Sequence, residues 1–238
     1  MEEWEAAKKR IAFALDGMTP LEARGWIRRL CPWVGVFKVG LELFVQGGKD
    51  AVRAVQEEGA LCFLDLKLHD IPETVGRAVA RAKELGARWV TVHALSGEEA
   101  LRRAKEGGGS HLQVLAVTLL TSLSSSDAKA MVGDSLGAWM ERLVGVGIRA
   151  GIDGWVCPGE ELSTLRRLVG PRAFVVVPGI RLPGDPLGDQ HRVATPKLAI
   201  AKGADLIVLG RSVRNAPQPE EVLRRVVEEV ALALKGCG

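Results

Sequence analysis

The run Leu61-Cys62-Phe63-Leu64-Asp65-Leu66-Lys67-Leu68-His69-Asp70-Ile71-Pro72 sets a carboxylate and an ammonium close together inside an otherwise apolar stretch. Side chains alternate along a strand, so Phe63, Asp65 and Lys67 would share one face and Leu64 and Leu66 the other. Charges on a buried face rarely stand there without a partner or a purpose. A structural ion pair would satisfy this spacing. So would a functional pair held side by side in a partly desolvated pocket. His69 and Asp70 extend past the strand and bring a second carboxylate within reach.

Other polar residues fall at the ends of comparable runs. Asp16 closes the first, Lys38 lies in the second, His93 closes the fourth, and Thr121 with Ser122 follows the fifth. Each has a bland account: a turn-forming aspartate, an edge lysine, a core histidine. Their recurrence at the same end of successive runs sets them apart. A different chemistry follows the last two runs, in Pro178-Gly179-Ile180-Arg181, Gly188-Asp189-Gln190 and Gly210-Arg211-Ser212. Glycine allows close backbone approach, amides at a helix start favour an anion, and arginine adds a bidentate donor. That combination suits a phosphate.

The elements that must position these groups can be read from periodicity. Strand patterns cover Ile11–Asp16, Val34–Gly40, Leu61–Lys67, Arg88–His93, Leu112–Thr118, Gly154–Val156, Arg172–Val177 and Asp205–Gly210. Helical patterns cover Pro20–Leu30, Asp50–Glu58, Glu73–Leu85, Gly97–Glu106, Leu136–Arg149, Glu160–Val169, Thr195–Lys202 and Pro219–Leu234, after a short helix over residues 2–9. Thr19-Pro20-Leu21-Glu22 has the form of a capping box with proline at the first helical position. Strict strand–helix alternation implies a parallel sheet. Eight such units favour a closed barrel, and the first strand leads into no GxGxxG fingerprint of a doubly wound sheet. The expected class is α/β, a (β/α)8 TIM barrel forming a single domain over residues 1–238. Thr121–Asp127 and Gly179–Gln190 then become loops at the C-terminal face, where barrel sites are built.

Composition narrows the partners. Of 238 residues, 47% are hydrophobic and 26% charged, which suits a globular chain with a large core. The net charge of +3 is not gathered into a basic run, so neither nucleic acid nor a membrane surface is expected. Cys31, Cys62, Cys157 and Cys237 form no CxxC pair, so neither a zinc site nor a disulfide framework is expected. The charged first residues do not read as a signal peptide, and a cytoplasmic protein is expected.

Taken together, these motifs resemble the orotidine 5′-phosphate decarboxylase family in its bacterial form. The resemblance runs from Ala14-Leu15-Asp16 through Lys38-Val39-Gly40, the Asp65–Val75 run, Val92-His93-Ala94 and Leu120-Thr121-Ser122. It continues through Pro178-Gly179-Ile180-Arg181, Asp189-Gln190 and Ala194-Thr195-Pro196 to Gly210-Arg211. The central run is the specific one. The resemblance implies conversion of orotidine 5′-monophosphate to uridine 5′-monophosphate and CO2 in pyrimidine biosynthesis, without metal or organic cofactor. It implies that Asp16 and Lys38 hold the ribose, and that Asp65, Lys67 and Asp70 form an alternating charge array. Asp70, with Ile71 and Thr74, would reach the neighbouring site of a homodimer. Thr121 and Ser122 would approach the pyrimidine. Arg181, Gln190, Gly210 and Arg211 would grip the phosphate, and Pro178 would contact substrate. Glu73 and Leu95-Ser96-Gly97 depart from the family's usual residues, outside the charged array. Rivals sharing the Asp-x-Lys-x-x-Asp strand are 3-keto-L-gulonate 6-phosphate decarboxylase and hexulose-phosphate synthase, which use magnesium. The Leu-Lys-Leu-His-Asp-Ile-Pro context argues against them. A non-catalytic phosphate-binding barrel is the rival from another class, and the intact Lys67 and aspartates argue against it.

Overall fold

The computed structural model describes residues 2–182 and 194–235. Eight strands close into a parallel barrel in sequence order: β1 Ile11–Ala14, β2 Val36–Gly40, β3 Leu61–Leu68, β4 Trp89–His93, β5 Gln113–Val117, β6 Gly154–Val156, β7 Phe174–Val177 and β8 Leu206–Leu209. Closure is made where β1 pairs with β8, Ile11 standing beside Ile207 and Phe13 beside Leu209. The helices are α1 Glu2–Lys8, α2 Pro20–Leu30, α3 Leu41–Glu57, α4 Pro72–Glu84, α5 Gly97–Gly108, α6 Ser125–Val132, α7 Leu136–Arg149, α8 Leu162–Val169, α9 Pro196–Ala201, α10 Arg211–Arg214 and α11 Pro219–Lys235. The expected (β/α)8 barrel is therefore the observed architecture.

Strand alternation divides the apolar residues into two cores. Outward residues such as Phe13, Phe37, Leu64, Val90 and Trp155 pack under the helices. Inward residues, among them Ala12, Val36, Phe63, Trp89, Leu115, Val156 and Val208, fill the barrel. At its N-terminal end the Trp89 and Phe174 rings stack with centroids 5.5 Å apart and form a floor. Moving toward the C-terminal end, the inward face changes character: Val36 gives way to Lys38, Phe63 to Asp65, and Trp89 to Thr91 and His93. The floor is apolar and the top polar, as a site at the C-terminal face requires.

Several boundaries differ from the sequence expectation, for physical reasons. The first strand stops at Ala14, because Gly17 (φ +69) turns the chain just beyond it and leaves Asp16 in the loop. The third helix begins at Leu41, well before Asp50. Gly48 (φ 51, ψ −135) kinks it, which is why Gly47-Gly48 resembles a loop in the sequence. The polar stretch after β5 is not all loop. Ser124 and Asp127 make a reciprocal capping box that starts α6. Gly107 and Gly108, beyond the expected helix end at Glu106, are the last residues of α5. Finally, β3 does not alternate strictly. Its register with β4 shifts between Leu64 and Leu68, and Lys67 takes φ 48.

Candidate active site

A cavity of about 440 Å³ opens at the C-terminal face of the barrel. One wall carries Asp16 and Gly17 after β1, Lys38 of β2, and Phe63, Asp65 and Lys67 of β3. Leu119, Leu120, Thr121 and Ser122 after β5 form another, and Pro178, Gly179, Arg181, Gly210, Arg211 and Arg214 close the far end. The volume lies in the range of small-molecule sites.

The charges of the first wall form a continuous chain. Lys38 Nζ donates to both Asp16 oxygens at 2.8 and 3.0 Å, and lies 3.4 Å from Asp65 Oδ2. Lys67 Nζ donates to both Asp65 oxygens at 2.9 Å. The order is acid, base, acid, base. Its middle members are buried, Lys38 at 8% and Asp65 at 9% exposure, while the outer two face the cavity. Burial works against the charged form of Lys38, yet the Asp65 and Asp16 carboxylates outweigh it and raise the ammonium above its usual range. Burial likewise works against ionised Asp65, and the Lys38 and Lys67 charges outweigh it, holding the carboxyl below its usual range. Both groups are therefore charged at neutral pH.

Local chain geometry explains how Lys67 reaches this chain despite the break in alternation. Its amide donates to Thr91 Oγ1 at 2.8 Å, and that hydroxyl donates to Asp65 Oδ1 at 2.9 Å. His93 does not line the cavity. Burial, with the nearby His69 and Lys67, pushes its imidazole down to about 4, so it is neutral near pH 7. His93 Nδ1 accepts from the Leu95 amide at 3.3 Å, and His69 Nδ1 lies 2.7 Å from Ser96 Oγ.

At the far end, Arg181 is buried, with its guanidinium donating to the Ile180 carbonyl at 3.1 Å. The Arg181 amide donates to the Ala194 carbonyl at 3.0 Å. After β8, Gly210 leads directly into the four-residue helix α10. The cavity thus brings together Asp16, Lys38, Asp65, Lys67, Thr121, Ser122, Pro178, Arg181, Gly210 and Arg211. It does not include Asp70, Ile71 or Thr74. Asp70 accepts from the Ile71 amide at 2.6 Å, and the Ile71 side chain is exposed. Gln190 lies outside the described residues.

Four contributors escape sequence reasoning. Thr91 sits in a strand, where threonine is ordinary. Gly40 faces Asp16 so closely that an added Cβ would come within 2.0 Å of Asp16 Oδ1. Glu42 accepts from the Gly17 amide at 2.9 Å and fixes the turn after β1. Arg214 lines the cavity and donates to the Asp16 carbonyl, tying α10 to that same turn. Its one available signal is its position one helical turn beyond Arg211.

Comparison with known proteins identifies the family. The sequence model of the orotidine 5′-phosphate decarboxylase / HUMPS family matches residues 9–226. Orotidine 5′-phosphate decarboxylase of Anaeromyxobacter sp. (strain K) is 46% identical over 220 residues, spanning 92% of this chain and 96% of the relative. That of Syntrophotalea carbinolica is 39% identical over 238 residues, spanning 96% and 98%. The crystal structure of orotidine 5′-phosphate decarboxylase from Lactobacillus acidophilus superposes with a TM-score of 0.77 at 30% identity, covering 93% of this chain and 99% of that one. With the barrel and these matches in agreement, the chain belongs to the orotidine 5′-phosphate decarboxylase / HUMPS family.

Proposed function

We propose that this chain is a carboxy-lyase that converts orotidine 5′-monophosphate to uridine 5′-monophosphate and CO2 in pyrimidine biosynthesis. The observation that carries the reading is the Asp16–Lys38–Asp65–Lys67 chain of charges opposite an arginine-bearing end of the same cavity. An anionic nucleotide spans such a cavity with its phosphate near Arg181, Gly210 and Arg211. Pro178 lies against the substrate, and the pyrimidine edge meets Thr121 and Ser122. Asp16 and Lys38 then face the ribose hydroxyls. Gln190 remains an expected phosphate contact.

Breaking the bond between C6 and its carboxyl carbon leaves the electron pair on C6, in an orbital that cannot delocalise into the ring. Neutral CO2 departs. The Lys67 ammonium stabilises the pair as it forms and then supplies the proton that completes the C6–H bond. Asp65, bonded to Lys67 and close to Lys38, keeps the ammonium aimed. Binding at the distant phosphate can be used to organise this array. None of these steps assigns a role to a metal or organic cofactor. Asp70 completes the array of a second copy, a reading supported by its exposure and its absence from its own cavity.

The test is the loss of orotidine 5′-monophosphate ultraviolet absorbance with chelator-treated protein. Steady turnover is expected; turnover that disappears with chelation and returns with magnesium would favour the metal-dependent branch. Lys67→Ala should keep its circular dichroism spectrum and lose about 10⁴-fold or more in kcat, as removal of both charge stabilisation and the proton donor implies. Near-normal turnover in that variant would sink the assignment.

A further inference from the structure

Lys67 is the one non-glycine residue with positive φ among the described residues, at φ 48. A lysine is not at ease there, because Cβ crowds the backbone in the left-handed region. The cause lies in the register of β3 against β4. Leu64 pairs with Val90 and Leu68 with Val92, so Asp65, Leu66 and Lys67 together stand opposite Thr91. The bulge costs Lys67 its regular ladder partner, and an unpaired amide in a buried position is unfavourable.

Thr91 answers both problems with one oxygen. Its Oγ1 accepts from the Lys67 amide at 2.8 Å and donates to Asp65 Oδ1 at 2.9 Å. Asp65 in turn accepts from Lys67 Nζ at 2.9 Å. The backbone and the side-chain tip of one lysine are thus closed into a ring through one hydroxyl and one carboxylate. Thr91 is fully buried, so water has no access to replace its hydroxyl. We propose that Thr91 is the positioning residue for Lys67, its hydroxyl holding the left-handed bulge and the Asp65 carboxylate in the geometry that aims the ammonium into the cavity. This rests on the role proposed above for Lys67.

The proposal separates a hydroxyl effect from mere packing. Thr91→Val keeps the shape and removes the donor and acceptor; Thr91→Ser keeps the hydroxyl and removes a methyl. Thr118→Val is the control, since that hydroxyl is equally buried but donates to the Val156 carbonyl and lies off the cavity wall. An ammonium displaced by about 1 Å can lower the chemical step roughly 100-fold. Substrate affinity, made largely elsewhere, should hold. The expected result is therefore a kcat about 100-fold lower for Thr91→Val with KM little changed, near-normal kcat for Thr91→Ser, and normal kcat for Thr118→Val. Should Thr91→Val not fold, Thr91→Cys takes its place, because a thiol is a much weaker hydrogen-bonding group. Its kcat is then expected far below that of Thr91→Ser.

Hydrogen exchange at the Lys67 amide, followed by NMR, gives a readout that needs no turnover. Protection is expected in the wild type and Thr91→Ser and loss of it in Thr91→Val, or in Thr91→Cys where that variant is used. Wild-type kcat in Thr91→Val, equal loss in Thr91→Ser, or unchanged Lys67 protection without the hydroxyl would overturn the proposal. If the wild-type protein fails to turn over orotidine 5′-monophosphate, the functional reading falls while the exchange experiment still decides whether Thr91 holds Lys67.

Discussion

Asp65 is held in the site by two opposite charges against the cost of its burial. It is a buried anion between two cations, and its Oδ1 receives both Lys67 Nζ and the Thr91 hydroxyl. Its depressed pKa means that this contribution to stability is present above the ordinary carboxyl range and is lost as pH falls through the lower, folded value. The raised Lys38 sets the opposite edge: its contribution holds below the ordinary lysine range and is lost as pH rises through the higher, folded value. The array is thus most stable across the broad neutral window between them. Asp65→Asn keeps the size but removes the buried carboxylate that Lys38 and Lys67 share, leaving buried Lys38 with Asp16 alone. Breaking a buried pair from one side costs about 3 kcal/mol. Urea unfolding at pH 7 should show that loss, and an unchanged midpoint would contradict it. Asp65 and Lys67 were legible because charge interrupts an apolar run. Thr91 was not, since nothing in a strand sequence distinguishes a packing threonine from one that holds a neighbouring backbone.

Among the elements, the junction of β2 and α3 shows space, not conformation, dictating a residue. Gly40 has ordinary extended angles, φ −83 and ψ 176, so many residues could adopt them. A Cβ there would lie 2.0 Å from Asp16 Oδ1 and 3.0 Å from Lys38 Nζ. Gly40→Ala must push Asp16 off Lys38, and a displacement of this size should lower kcat/KM by about 100-fold. Steady-state kinetics checks this, with thermal unfolding run alongside to show a folded variant. The sequence displayed Lys38-Val39-Gly40 as a motif but not this need, which arises only when β1 and β2 lie side by side, Ala14 pairing with Lys38. Helix α6 was missed for another reason. Of its residues only Ala128 is buried, so it carries no apolar periodicity to read. Most strand and helix cores were legible from alternation and caps, whereas the β3 bulge was not, because its cause sits on β4.

For the whole molecule, the barrel could be counted from eight alternating units, but assembly could not. Leu41 and Val45 follow β2, Ile71 follows β3 and Leu95 follows β4, all large, apolar and exposed. They stand near Asp70 in sequence units that are neighbours in the barrel, which supports pairing of two copies there. A two-fold dimer exchanging Asp70 has a direct test in hybrids of Lys67→Ala with Asp70→Asn. Each single variant should be nearly inactive. Co-expressed at equal levels, about half of the dimers are hybrids with one intact site each, giving about a quarter of normal activity. No recovery in demonstrated hybrids would mean that Asp70 serves its own subunit.

The stacked Trp89 and Phe174 rings have a consequence for traffic. They fill the lower end of the barrel, below the Phe63, Val117, Val156, Val176 and Val208 side chains that line the cavity. If the proposed reaction runs here, the nucleotide product leaves through the same C-terminal opening by which the substrate arrived. Arrival and departure therefore exclude one another, and spent nucleotide lingering in the cavity turns away the next substrate as a simple competitor.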